Sequence, residues 1–326
     1  MADNASGVTK YRRLSRRSWV IEQGFRYTIR PVLRRIPITA WSIRVAGAID
    51  AATVIPRPAG VTLHPVSLAG FDAELVQPVG YSTQLREGAV LYLHGGAFVL
   101  GGLNTHRRVV AALARRSGLP VLHVAYRQLP DTTIRGSVND AVTAYQWLLR
   151  NGADPGRVIF AGDSAGGFLV FAAALTAQQT GIPAPAGLIG ISPWLDLDCT
   201  TKIAHPNNHT DAYLPATLLA AISELGTETD HAVEQTLSPV SSALAGLPPV
   251  LLIAVTSEVL RVDAELMHRR LTAAGVPSRL QLWDGQVHAF TTVFPSLPES
   301  RAALDDCAQF IRAQLNLQPS LDHTGS

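Results

Sequence analysis

The sequence predicts an α/β protein built on a mostly parallel sheet of eight strands with helices on both faces. Two observations carry this. From about residue 61 onward, short apolar runs take turns with longer segments of helical periodicity, the pattern of strands joined by crossover helices. The chain has 326 residues, 47% hydrophobic and 16% charged, which suits one large domain with a small accessory region and excludes a disordered or coiled-coil protein.

Residues 10 to about 36 read as a helical region, with Leu14, Ile21, Phe25 and Val32 near one face and most arginines elsewhere. Pro31 interrupts this helix or starts the next one. Val61–Ser67 and Phe71–Gln77 read as a meander of two strands. Strand Ala89–Leu93 precedes a helix near Thr105–Ser117, and strand Pro120–Ala125 precedes a helix near Ser137–Arg150. Strand Val158–Ala161 leads into a helix from Ser164 to about Gln179, and Gly187–Ile191 is a further strand. A region of about 45 residues follows, with a polar start (Thr200–Thr210) and a helical piece near Pro215–Leu225. The last units are strand Val250–Val255, helix Asp263–Ala274 stopped by Gly275, strand Arg279–Trp283 and a helix near Ser300–Leu315. In such sheets the working residues sit in loops beyond the carboxyl ends of strands.

Charge is uneven. Net charge is +2, yet residues 1–49 carry +8 and the remainder −6. Two cysteines, Cys199 and Cys307, do not make a disulfide scaffold, and they read as reduced thiols. No secretory signal pattern and no apolar run of 18 residues is visible, so the expected location is cytoplasmic. The basic N-terminal region reads first as a helix packed over the protein's own core. The competing reading is peripheral contact with an anionic membrane surface. No nucleic-acid-binding module accompanies the charge.

Gly162-Asp163-Ser164-Ala165-Gly166-Gly167 follows one predicted strand and opens a helix, which fits the G-x-S-x-G elbow of acyl-transfer enzymes. Ser164 is the candidate nucleophile. A sharp turn must lift its Oγ above the sheet edge, so its neighbours need little or no side chain. His94-Gly95-Gly96-Ala97-Phe98 also follows a strand. Gly95 and Gly96, with Ala165, are the candidate backbone donors to an oxyanion. Among ten histidines, His288 alone lies just beyond the last strand, where a general base belongs; His94 precedes the nucleophile and reads as a structural loop residue. The acid should lie after Val250–Val255. Glu258 ranks first and Asp263 second, since Asp263 also suits the N-cap of the next helix; Asp284 is too close in sequence to His288. The order Ser164, Glu258, His288 is the α/β-hydrolase order.

Further blocks extend this pattern: Tyr126-Arg127 with Pro130, Asp140-Ala141, Ala144-Tyr145, Trp147-Leu148, Ser192-Pro193-Trp194-Leu195-Asp196-Leu197, Gly246-Leu247-Pro248-Pro249 and Ala273-Ala274-Gly275-Val276. Together, over about residues 85–315, they resemble the hormone-sensitive-lipase-like esterases (bacterial family IV). The resemblance implies a carboxylesterase acting on short- to medium-chain acyl esters, with no cofactor and no metal. It implies a helical cap, formed here by residues 1–49 and an insertion at about 198–236, on a catalytic domain spanning 50–326. It also admits a homodimer. The chain departs from the family in having Glu258 where Asp is common, Phe168 after the elbow, and Ile134-Arg135 in place of an aromatic-Pro pair. A trypsin-like protease is excluded, because those enzymes are antiparallel β proteins with disulfides and place the His first. A catalytically silent hydrolase fold is disfavoured by the intact set Ser164, Glu258 and His288.

Overall fold

The computed structural model describes residues 7–12, 15–52, 56–81, 84–227 and 237–317. Leu14, His231, His323 and residues 228–236 of the expected cap insertion therefore lie outside the described residues. In chain order the elements are β1 (Val8–Tyr11), α1 (Arg16–Gly24), a π-helical turn (Phe25–Ile29), α2 (Arg30–Leu33), α3 (Ala40–Ala52), β2 (Val61–Ser67) and β3 (Asp72–Pro78). Then come β4 (Ala89–Leu93), α4 (Leu103–Ser117), β5 (Val121–Ala125), α5 (Ile134–Arg150), β6 (Val158–Asp163), α6 (Ala165–Gln179) and β7 (Gly187–Ile191). After the short helices α7 (Thr200–Ala204) and α8 (Asn207–Thr210) come α9 (Ala216–Gly226), β8 (Val250–Val255), α10 (Arg261–Ala273), β9 (Ser278–Trp283), α11 (Phe290–Val293) and α12 (Pro298–Gln314).

The sheet has nine strands in the order β1-β9-β8-β7-β6-β4-β5-β3-β2, and β3 alone runs against the rest. The eight expected strands are all present. The ninth, β1, corrects the reading of the basic N-terminal region as purely helical. It pairs parallel to β9, with Val8 opposite Leu280 and Tyr11 opposite Trp283. The Tyr11 ring stacks on Trp283 at 4.1 Å and its hydroxyl donates to Asp306 Oδ2 at 2.9 Å. Helix α1 then starts late, because Ser15 caps it by accepting from Ser18 N–H at 3.2 Å. Pro31 lies inside a helical run that continues without a break from Arg16 to Leu33, directly after the π-helical turn Phe25–Ile29, where Arg30 N–H bonds back to Phe25 O.

Both faces of the sheet are covered. Along β4, Ala89, Leu91 and Leu93 enter one core with α5, α6 and α10, while Val90 and Tyr92 enter the other with α4 and α12. β8 splits likewise, with Leu252 and Ala254 on one side and Leu251, Ile253 and Val255 on the other. This is why these strands read as continuous apolar runs: both alternate sets are buried. Parallel strands with crossover helices bring the carboxyl ends of β4, β6, β8 and β9 to one edge. No described helix is long and apolar enough to cross a membrane. Both cysteines are free and buried, and burial pushes the Cys199 thiol up to about 12.

Candidate active site

The elbow after β6 holds Ser164 at φ 53°, ψ −120°, a backbone region that L residues rarely adopt. Its N–H donates to Ile191 O at 2.9 Å, and its carbonyl accepts from Trp194 N–H at 3.0 Å and Phe168 N–H at 3.2 Å. The glycines of the motif answer a packing demand. A Cβ on Gly162 would come within 2.6 Å of Gly166 O, and one on Gly166 would strike Leu93 O. The strand and helix around Ser164 thus press on each other and on β4 too closely for side chains. Ala165 opens α6, whose first turn has no side-chain cap.

His288 and Glu258 meet in the loops after β9 and β8. His288 Nδ1 lies 2.8 Å from Glu258 Oε2, and Glu258 Oε1 accepts from Val255 N–H at 2.8 Å. Both side chains are buried. Burial alone would depress the imidazole. The Glu258 hydrogen bond and charge, joined by the charges of Asp211 and Asp163, outweigh it and leave the His288 pKa above its ordinary 6.5.

The two competing carboxylates are placed elsewhere. Asp263 is buried and ion-paired to Lys202 Nζ at 2.9 Å, and its Oδ2 accepts the N–H groups of Leu195 at 2.9 Å and Asp196 at 3.0 Å. It is not the N-cap of α10 either, since that helix begins after Leu260 with no side-chain cap. Asp284 Oδ1 accepts from the Thr256 hydroxyl at 3.0 Å at the surface.

The loop after β4 corrects one expectation. The Gly95 N–H donates to Asp163 Oδ1 at 3.1 Å, so it is not free for an oxyanion. The glycine is required there because a Cβ would come within 2.5 Å of Asp163 Oδ2. Among the described residues, the N–H groups of Gly96 and Ala97 have no partner. Gly96 and Ala97 both have positive φ, 115° and 54°, so the loop turns sharply at these two residues.

Asp163 is the site residue that the sequence did not disclose. Its carboxylate also accepts the Tyr92 hydroxyl at 2.8 Å and faces His106 Nε2 at 3.4 Å. Burial pushes this carboxyl up, but His106 and the Tyr92 hydrogen bond outweigh it and hold it below its ordinary value. Asp163 thereby ties the Ser164 turn to the glycine loop. On the other side of that loop, Tyr126 donates its hydroxyl to His94 O at 2.8 Å and stacks on the His94 ring at 4.3 Å. Burial and the neighbouring His106 lower the His94 pKa to about 3, so it stays neutral, and its Nδ1–H is directed at Gly95 O at 2.7 Å. Phe168 packs edge-on against Phe98 at 5.5 Å, and Ile134 is buried against Gly226 of α9, so these departures fill core space away from Glu258 and His288. Among the described residues no cluster of His, Cys, Asp or Glu is arranged to hold a metal ion.

A family model described as the alpha/beta hydrolase fold matches residues 90–292, well over half of the chain. This chain belongs to the α/β-hydrolase family, among the hormone-sensitive-lipase-like esterases. The esterase LipU of Mycobacterium tuberculosis is 39% identical over 295 residues, 87% of this chain and 98% of LipU. The carboxylesterase/phospholipase LipF of the same organism is 38% identical over 276 residues, 82% of this chain and 73% of LipF. Among solved structures, an esterase from the bacterial hormone-sensitive lipase family superposes with a TM-score of 0.81 at 31% identity, covering 93% of this chain and all of its own. The esterase EstE5, solved after soaking with p-nitrophenyl butyrate, superposes with a TM-score of 0.83 at 30% identity and the same coverage.

Proposed function

We propose that this α/β-hydrolase is a serine carboxylesterase acting on short- to medium-chain acyl esters through an acyl-enzyme. The observation that carries the reading is the His288–Glu258 contact of 2.8 Å at the same sheet edge as the strained Ser164 turn. His288 Nε2 takes the proton of Ser164 as its Oγ adds to the ester carbonyl. The oxyanion is held by the N–H groups of Gly96, Ala97 and Ala165, the first two replacing the pair Gly95 and Gly96 read from the sequence. The tetrahedral adduct collapses as His288 returns the proton to the departing alcohol. Water, deprotonated by His288, then cleaves the acyl-enzyme and releases the acid. The cap expected from residues 1–49 and about 198–236 is, among the described residues, α1–α3 and α7–α9, with Val8–Tyr11 belonging to the sheet instead. A fluorophosphonate should modify one peptide, the one containing Ser164, and p-nitrophenyl butyrate should be hydrolysed faster than the palmitate ester. Labelling elsewhere, or none with hydrolysis retained, would sink the assignment.

A membrane-surface role has one observation in its favour. Tyr27 and Trp41 are 74% and 75% exposed, and Trp19 and Val32 are exposed too. Arg16, Arg17, Arg34 and Arg35 are exposed among them. Amphipathic aromatics interleaved with arginines suit the headgroup boundary of anionic lipid. Co-sedimentation with phosphatidylserine vesicles should exceed that with phosphatidylcholine vesicles and fall as salt is raised. Equal binding to both, insensitive to salt, would refute it.

A further inference from the structure

The loop that presents Glu258, residues 256–259, makes few backbone bonds to the rest of the hydrolase core. Glu258 N–H reaches Val255 O at 3.3 Å and Thr256 N–H reaches Trp283 O at 2.9 Å. Arg261 of α10 adds its N–H to Glu258 O at 3.3 Å and its Nη1 to Thr256 O at 3.0 Å, and the Thr256 hydroxyl donates to Asp284 Oδ1 at 3.0 Å. Each residue of the loop is also bonded by one turn of the cap insertion. Asn207 Nδ2 donates to Thr256 O at 3.1 Å and to Glu258 O at 2.8 Å. The Thr210 hydroxyl donates to Ser257 O at 3.2 Å. Asp211 Oδ2 accepts from Val259 N–H at 2.8 Å, while its Oδ1 accepts from Tyr213 N–H at 2.7 Å and Leu214 N–H at 3.0 Å. Four consecutive loop residues are thus gripped by residues 207–211, and both principal grips, Asn207 and Asp211, are buried.

The turn is itself held from outside by the N-terminal arginines. Arg26 donates to Thr210 O at 2.8 Å, and Arg30 donates to His209 O at 3.3 Å and to Asn208 O. These are the terminal carbonyls of α8, which lack helical partners and favour a cation. Beside them Phe25 packs edge-on against Tyr213 at 5.0 Å, and Tyr213 lies 5.9 Å from the His288 ring.

We infer that Asn207 and Asp211 are positioning residues for the catalytic acid, fixing the Glu258 loop from the cap, with Arg30 bracing the turn that carries them. The inference rests on the Ser164–His288–Glu258 reading above. It assigns the buried Arg30 of the N-terminal region to catalysis at a distance. The reason is geometric. Glu258 orients His288 through a single 2.8 Å contact, and its own carbonyl and both neighbouring residues are tied to the cap as well as to the core.

The test is a double-mutant cycle read as the second-order rate of fluorophosphonate labelling at Ser164. Asn207→Ala and Asp211→Asn should each slow labelling roughly 10- to 100-fold, as displacement of a reacting group by about 1 Å does. In a Glu258→Ala background the same substitutions should change the rate less than about threefold, because they act through a carboxylate that is gone. Arg30→Ala, farther from the core, should slow labelling by about three- to tenfold and show the same loss of effect without Glu258. That variant keeps the cycle readable if Asn207→Ala does not fold. Equal effects with and without Glu258 would overturn the inference, as would unchanged labelling of all three variants. A wild-type protein that Ser164-directed probes do not label would instead refute the esterase reading on which it stands.

Discussion

Glu258→Gln should cut kcat roughly 10,000-fold while leaving thermal stability near wild type, and Asp263→Asn should do the reverse. With its oxygen kept on Val255 N–H, glutamine turns its NH2 toward His288 Nδ1, which favours the wrong imidazole tautomer, and it has no charge to stabilise the imidazolium that forms when Ser164 is deprotonated. Its shape still offers an oxygen to Val255 N–H, which now binds Glu258 Oε1 at 2.8 Å, so the fold keeps that bond. Asp263 is the opposite case. It is buried against Lys202 and receives two backbone N–H groups from the loop after β7. Neutralising it strands Lys202, which is itself buried. Leaving one buried charge without its partner costs about 3–5 kcal/mol. For a chain of this size that lowers Tm by about 4–7 °C. The paired measurement is kcat on p-nitrophenyl butyrate and a thermal melt for both variants. A dead Asp263→Asn with an active Glu258→Gln would exchange the two assignments.

The pH profile follows from the same pair. As the proposed base, His288 works only when neutral, and its pKa lies above 6.5. The acid limb of kcat/KM should therefore have its inflection above pH 6.5, with activity lost as pH falls through it. The stability linkage has the opposite sense. A histidine whose folded pKa is raised contributes stability below about pH 6.5, and that contribution disappears as pH rises through the folded value. The enzyme is thus active in the range where this contribution has gone. In Glu258→Gln the hydrogen-bonded charge that raises the imidazole is absent, and the residual activity should show its acid limb at lower pH. An unshifted limb would mean that another group sets it.

Much of this was legible because strand ends and turns leave local marks. His288 could be chosen from ten histidines by its place after the last strand, and Glu258 by its place after β8. What was not legible depends on distant pairings. β1 is four residues long and lies beside an arginine-rich segment, and only its register against Leu280–Trp283 makes it a strand. Gly95 could have been a glycine for an oxyanion or for a carboxylate. The choice is made by Asp163, which β6 brings beside β4. Asp163 itself occupies the unspecified position of the elbow motif, so its neighbours alone do not give its role. Asn207 sits in the polar stretch Thr200–Thr210, and Asp211 follows directly on it. Their meaning comes from facing Thr256–Val259 across about 50 residues of chain.

Ser164→Gly should abolish hydrolysis, by roughly a million-fold in kcat, and should make the protein more stable. The loss follows from removing the nucleophile, and Ser164→Ala should match it. The two differ in the backbone. Ser164 is held at φ 53°, ψ −120°, and any residue with a Cβ pays about 1–3 kcal/mol to stay there. Glycine adopts this conformation freely, but loses about 0.5–1 kcal/mol more entropy on folding than alanine does. The strain exceeds the entropy over most of that range, so glycine should gain about 1 kcal/mol and raise Tm by about 1–2 °C. Alanine retains the Cβ and should melt with wild type, since the Ser164 hydroxyl caps nothing in α6. Equal melting of the alanine and glycine variants above wild type would place the gain in removal of the hydroxyl rather than in the turn. The predicted order, glycine above alanine and serine, would show that stability is given up at this turn to hold Oγ above the sheet. The surrounding chain enforces that geometry: Gly162 and Gly166 leave no room for the turn to relax toward β4, and the Ser164 N–H is anchored on β7 through Ile191 O at 2.9 Å.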